Sequence, residues 1–228
     1  MLVMEKAEAR SERKRREILA AARKRFMVEG YASTGMEAVA RDAAVSTATL
    51  YSYFPSKADL FKVVVDEAGE VFAALLEQTA AAPGDGLSRL RSFTLAYVRF
   101  MSDPFVRSVF RLVAAERRRF ESVARQFFER AREEFGGTLI RILRDLDKDG
   151  VIRVEKPSWA AGQLLGMIEH PTFVVPMLTG DEVKAERPLE AICDEALETF
   201  LARFGTDRPL GKKPLAEPRI IQAVSPEL

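Results

Sequence analysis

The sequence predicts an all-α fold in three parts. A three-helix N-terminal domain spans residues 1–58, a larger C-terminal helical domain spans 59–205, and residues 206–228 form a Pro-rich, loosely ordered tail. Three observations carry this reading. Apolar residues recur at three- and four-residue spacing along almost the whole chain, while period-two alternation between turns is scarce. Short Gly, Pro and Asp clusters cut the periodic segments where helices would start and stop. With 228 residues, 47% of them hydrophobic and 30% charged, the chain can bury a sizeable core and keep a polar surface.

The first helix is expected over residues 12–29. Ile18, Ala22 and Phe26 stack one turn apart with Leu19 beside them, and Gly30 follows as a stop. A short second helix, Met36 to Ala43, is polar except for Met36, Val39 and Ala40, with Thr34 or Gly35 at its cap. Ala44-Val45-Ser46 then leads tightly into a third short helix capped by Ser46. Ser56, with Asp59 three residues on, opens a long helix with a capping box. Its apolar stripe is Leu60, Phe61, Val64, Ala68, Val71, Phe72 and Leu75. AAAPGDG at 80–86 breaks the chain. Further helices are expected near 87–102, 104–118, 120–147, 158–179 and 186–204, punctuated by Asp103-Pro104, Asp149-Gly150, Pro157 and Gly180-Asp181. His170-Pro171 marks a kink, and Val151–Val154 is the one stretch that reads as briefly extended. The tail carries Pro209, Pro214, Pro218 and Pro226 with little periodic apolar content.

Composition narrows the function classes. No apolar stretch approaches the ~20 residues of a membrane helix, and the charged N-terminus is no secretory signal, so a cytoplasmic protein without membrane contact is expected. A single cysteine, Cys193, and a single histidine, His170, leave no internal disulfide, no metal set and no nucleophile–histidine pair. Asp145, Asp147 and Asp149 are spaced like a calcium loop, but Lys156 stands where such a loop needs Glu. Neither an enzyme nor a cofactor is expected. The net charge is +1, yet residues 1–57 hold eleven Lys/Arg against seven Asp/Glu, a local +4. Arg10, Arg13, Lys14, Arg15 and Arg16 cluster ahead of the first apolar stripe, either as a solvated helix end or as an arm along phosphates.

The third helix, in STATLYSYFPSKADLF (46–61), is the most informative element. At about 100° per residue, Leu50 and Phe54 share one face and pack inward. Thr47, Ala48, Tyr51 and Ser52 fall on the other face, with Thr49 and Tyr53 at its margin. That outer face is small, hydroxyl-rich and low in charge, suited to hydrogen bonding at base edges in a major groove of double-stranded DNA. Two short helices joined by a tight turn, the second so patterned, make a helix-turn-helix.

The run FMVEGYASTGMEAVARDAAVSTATLYSYFPSKADLF (26–61) resembles the DNA-binding domain of TetR-family transcriptional regulators. Phe26, Gly30-Tyr31, Thr34, Val39-Ala40, Val45-Ser46, Thr49-Leu50-Tyr51, Tyr53-Phe54, Lys57 and Leu60-Phe61 follow in order, and the likeness covers about residues 12–75. It implies a homodimer that presents one recognition helix to each half of a near-palindromic operator. It also implies base contacts from Thr47, Ala48 and Tyr51, and phosphate contacts from Thr49, Tyr53 and Lys57, with Thr34 or Gly35 doing similar work. Two positions depart from the pattern: Ala44 replaces the usual turn Gly, and Gly35 the usual Ser or Thr cap.

Residues 110–130, FRLVAAERRRFESVARQFFER, look like the AefR-like subset of the family. The resemblance implies a C-terminal effector-binding and dimerisation domain. Candidate pocket residues are Tyr97, Phe100, Met101, Phe105, Phe110, Phe128, Met167 and Phe173, with Phe93 and Phe127 nearby and His170, Glu169 or Arg99 as polar anchors. An aromatic and Met-rich lining suits a small apolar effector. Trp159, Leu164, Leu165, Ile168, Val174, Ile192, Leu197, Phe200 and Leu201 give the last two helices apolar surface for a dimer interface. The reading is therefore a ligand-responsive regulator, most simply a repressor. The rival is a DNA-binding dimer whose C-terminal domain only dimerises or answers to a protein partner.

Overall fold

The structure, a computed structural model, describes residues 2–80, 85–180 and 187–206, with side chains described from residue 9 to 68 and through the two later stretches. Proline positions 209, 214, 218 and 226 of the expected tail lie outside the described residues, as do the side chains of Val71, Phe72 and Leu75. The described chain is helical throughout. Its elements are α1 (Leu2–Ser33), α2 (Met36–Asp42), α3 (Thr47–Tyr53), α4 (Lys57–Ala80), α5 (Gly86–Met101), α6 (Pro104–Glu116), α7 (Glu121–Ala131), α8 (Gly137–Lys148), α9 (Pro157–Glu169), α10 (Val175–Thr179) and α11 (Leu189–Phe204). No described helix is long and apolar enough to cross a membrane.

Helix α1 departs from expectation at both ends. It begins at Leu2 rather than near residue 12, and it bends at Gly30 instead of stopping there. Gly30 has φ 78°, a left-handed conformation that costs glycine nothing. Thr34 secures the bend by donating its hydroxyl to the Gly30 carbonyl at 2.8 Å. On the core side Ile18, Leu19, Ala22 and Phe26 are buried. Arg25 clamps α1 to α2, reaching Asp42 with Nε at 2.7 Å and Nη2 at 3.0 Å. This pair holds the Asp42 carboxyl below its ordinary value.

Helix α5 lies at the centre of the C-terminal domain, packed against α4, α8, α9 and α11. Leu90, Phe93, Thr94, Tyr97, Val98, Phe100 and Met101 are buried along it. Caps set its ends and those of α6: Asp85 accepts from the Ser88 amide, and Asp103 accepts from the Phe105 amide ahead of Pro104. The helix expected over 120–147 is interrupted by a π-helical segment, Arg132–Gly136, between α7 and α8. The kink expected at His170-Pro171 is a second π segment, His170–Val174, between α9 and α10. The short extended stretch forms as an antiparallel bridge, Ile152 with Gly205, so Arg153 donates its amide to the Phe204 carbonyl at 2.8 Å. Two of the three aspartates have internal partners. Asp147 accepts from the Val154 amide at 2.8 Å, and Asp145 pairs with Arg89.

Of the surface expected between subunits, Leu164, Ile168, Ile192, Leu197 and Phe200 are buried within the chain itself. They complete the core around α5. Trp159, 71% exposed, and Val174 remain on the outside, joined by Leu178.

Candidate nucleic-acid interface

The turn between α2 and α3 is built by backbone. The Ala44 amide donates to the Arg41 carbonyl at 3.1 Å, and the Val45 amide to the Ala40 carbonyl at 3.0 Å. Ala44 itself sits at φ 52°. A non-glycine residue there costs roughly 1–2 kcal/mol, the consequence of alanine at the turn position noted above. Ser46 caps α3 by accepting the Thr49 amide at 3.0 Å. Leu50 and Phe54 are buried as expected. Each such burial contributes about 1.5–3 kcal/mol, which holds a seven-residue helix that has no stability alone.

The opposite face is open. Thr47, Ala48 and Ser52 are exposed, Tyr51 is 44% exposed, and Thr49 and Tyr53 are half-buried at the margin. Not every hydroxyl is free, however. Ser52 donates its own to the Thr49 carbonyl at 2.7 Å, and Thr49 shares a hydrogen bond with Ser46 Oγ at 2.8 Å. Ser52 thus offers acceptor lone pairs only, while Thr47 and Tyr51 keep a hydroxyl that can donate or accept. Tyr53 is met by Ser11 of α1, its phenol oxygen 2.9 Å from the serine hydroxyl.

At the start of α2 the two expected phosphate-side residues differ. Gly35 is half-exposed at the N-cap with no side chain to cap the helix, so the first-turn amides stay open. Thr34 is buried and its hydroxyl is spent on Gly30. The bend in α1 needs that hydroxyl more than the surface does, so a side-chain contact from Thr34 is corrected to a structural role.

Lys57, on the first turn of α4, is half-buried and already engaged. Its ammonium donates to the carbonyls of Thr34 at 2.6 Å and Ala32 at 3.0 Å, and lies 4.6 Å from the centre of the Tyr31 ring. Burial, and then the nearby Arg119 guanidinium, hold it below the ordinary lysine value. Two of its three hydrogens are committed to ending α1, which leaves one for solvent or an anion.

Arg119 and Phe120 tie this corner to the C-terminal domain. They lie in the turn between α6 and α7. Phe120 stacks on Phe61 at 4.6 Å and meets Tyr31 edge-on at 4.9 Å, while Arg119 sits 4.7 Å over the Tyr31 ring. Phe26, Tyr31, Phe61 and Phe120 thus form one aromatic cluster across both domains. Sequence reasoning missed Ser11, Arg119 and Phe120. A lone Phe following three arginines was the only available signal, and it looks like exposed helix surface.

The expected C-terminal pocket residues divide. Tyr97 and Phe100 pack around Phe135, at 5.3 and 4.7 Å, beside the first π segment. Phe110 meets Phe127 and Phe173 at 5.1 and 5.0 Å, beside the second. Met101 is buried and Met167 half-buried near these groups. Three expectations fail here. Phe128 is 64% exposed because it points about 100° around α7 from the buried Phe127. His170 is exposed at the start of its π segment. Phe105 is half-buried at the α1–α6 contact, under the Arg23 guanidinium at 5.2 Å, rather than in the C-terminal core. Of the three polar candidates, Glu169 is the one that meets the aromatic group, accepting the Tyr97 phenol at 2.5 Å. Burial, with the carboxylate beside it, pushes the Tyr97 phenol far above its ordinary value, so the proton stays on tyrosine. Arg107, buried, donates to the carbonyls of Met101 and Thr172 and so joins α5 to the second π segment.

The family model for bacterial regulatory proteins of the tetR family matches residues 18–64. The model for the C-terminal domain of AefR-like transcriptional repressors matches residues 88–206, over half of the chain. Among solved structures, a TetR-family transcriptional regulator from Mesorhizobium loti is 27% identical at TM-score 0.69, covering 86% of this chain and 99% of that one. A flavonoid-responsive regulator, FrrA, is 28% identical at TM-score 0.66, covering 86% and 100%. The triclosan complex of SmeT shares the fold at 21% identity and TM-score 0.63, covering 90% and 99%. No curated protein matches the chain.

Proposed function

Because the chain belongs to the TetR family of bacterial transcriptional regulators, we propose that it is a ligand-responsive repressor. It binds a near-palindromic operator as a homodimer and leaves it when a small, largely apolar effector binds. The observation that carries the DNA half is the split of α3, with Leu50 and Phe54 buried and Thr47, Ala48 and Tyr51 facing out. Thr47 and Tyr51 supply hydroxyls at base edges, and Ala48 a methyl that fits thymine. The open amides beside Gly35, the third hydrogen of Lys57, and the margins at Thr49 and Tyr53 meet phosphates.

The effector half rests on the aromatic group of Tyr97, Phe100 and Phe135 around a single polar pair, Tyr97 with Glu169, flanked by two π segments. π segments concentrate at functional sites because they widen a helix locally. FrrA is flavonoid-responsive and SmeT binds triclosan, aromatic compounds in keeping with an aromatic lining and one carboxylate acceptor. Subunits meet through α9, α10 and α11, with Trp159 on α9, Val174 on the second π segment and Leu178 on α10 exposed; added Cβ atoms at Gly162 and Gly166 would meet open space, allowing close helix approach. The domains follow as a DNA-binding head to residue 58 and an effector and dimer domain to 205.

The test is fluorescence anisotropy of the full chain on a duplex selected from a random library, titrated with a panel of flavonoids and chlorinated phenols. The expected result is a fall in affinity of about tenfold or more at saturation, a coupling within the usual 1–3 kcal/mol. Unchanged affinity in the presence of a ligand shown by calorimetry to bind would refute release by effector and favour a protein-responsive or purely dimerising C-terminal domain.

A further inference from the structure

The tetR family model begins at residue 18, yet α1 runs back to Leu2. This extension is roughly 24 Å of helix at 1.5 Å per residue, comparable to about seven base pairs of duplex at 3.4 Å each. Its position is fixed against the candidate interface, because the Ser11 hydroxyl lies 2.9 Å from the Tyr53 phenol at the end of α3.

The charges of the extension are sorted by face. Arg15 turns inward, pairing with Glu67 of α4 at 3.3 Å and covering the Phe54 ring at 5.9 Å. Arg13 pairs with Glu17 at 3.5 Å on the solvent side of α1. Arg10 and Lys14, one turn apart, flank Ser11 on the other edge, and neither has a hydrogen-bond or ion-pair partner among the described residues. Followed at about 100° per residue, that edge continues to Arg25, which reaches Asp42 at the end of α2. The edge therefore runs on the helix-turn-helix side of α1. Glu12 points to the opposite edge, while Glu17, within about 20° of Arg10 and about 60° of Lys14 by the same count, is taken up by Arg13 at 3.5 Å.

We propose that the Arg10–Ser11–Lys14 edge of α1 is a second DNA-contact element, which binds the phosphodiester backbone flanking each half-site. It rests on the DNA-binding reading above. Its occupant follows from charge and continuity: two cations without a partner among the described residues stand beside Ser11, which meets Tyr53 at the phosphate margin of α3. The pairing of Ser11 with Tyr53 makes the helix and the recognition surface move together, so the flank is contacted when α3 is seated.

Two measurements on the full chain test this. The unmodified protein is titrated against a selected duplex trimmed to the half-sites and against one longer by about one helical turn, about 10 base pairs, at each end. The double variant Arg10→Gln/Lys14→Gln is run beside it, with its melting midpoint as a check on folding. The expected result is that the unmodified chain binds the longer duplex more tightly. The variant should lose that gain, and the slope of log affinity against log salt should fall by about 0.9 for each lost phosphate contact in a subunit. Equal affinity of the unmodified chain for both duplexes overturns the proposal and needs no variant. So does a folded variant with unchanged slope, or one weakened equally on both duplexes without a change in slope. Failure of the unmodified chain to bind any selected duplex would sink the DNA-binding reading itself.

Discussion

Lys57 shows how one side chain can serve fold and function together. Its ammonium closes the bend of α1 through the carbonyls of Ala32 and Thr34 and lies over Tyr31, with one hydrogen to spare. Lys57→Ala should therefore do two separable things. It should cost about 1–3 kcal/mol of stability, the range for hydrogen bonds from a charged donor, measured by urea unfolding. It should also weaken DNA binding evenly across sequences and lower the salt slope by about one. An unchanged slope with reduced stability would leave the lysine a purely internal cap. A loss confined to some sequences would make it a base reader.

At the scale of elements, most of the head was legible. The period of Ile18, Ala22 and Phe26, the Ser46 cap and the opposition of Leu50 to Tyr51 are local patterns, and local patterns survive folding. The full extent of α1 was not legible, because its first ten residues carry no sustained apolar period. Nor were the π segments, whose extra residue per turn leaves little trace in spacing. Pocket assignment failed where residue type stood in for direction: Phe128 and Phe127 are adjacent in sequence yet point about 100° apart around α7, one exposed and one buried. The turn between α2 and α3 gives an element-scale prediction. Ala44 at φ 52° carries strain that glycine would not. Ala44→Gly should raise stability by up to about 1 kcal/mol, the relief being partly offset by the larger unfolded-state entropy of glycine. Destabilisation in urea unfolding would mean that the Ala44 methyl contributes more than its backbone costs.

On the scale of the whole molecule, Phe120 and Arg119 connect the two ends of the proposed activity. They fasten the turn between α6 and α7 to Tyr31 and Phe61, beside Lys57, so the C-terminal domain and the head are joined by packed side chains as well as by α4. In a dimer this link would set the spacing of the two α3 helices, and so whether both enter successive major grooves. The most direct measurement is selection of bound duplexes from a random library by the full chain, followed by sequencing. The account predicts enrichment of an inverted repeat, two half-sites related by a dyad, and loss of that enrichment for Tyr51→Ala with its melting midpoint unchanged. No enrichment, or the same motif recovered by the Tyr51 variant, would contradict the reading of α3 as a DNA-recognition surface.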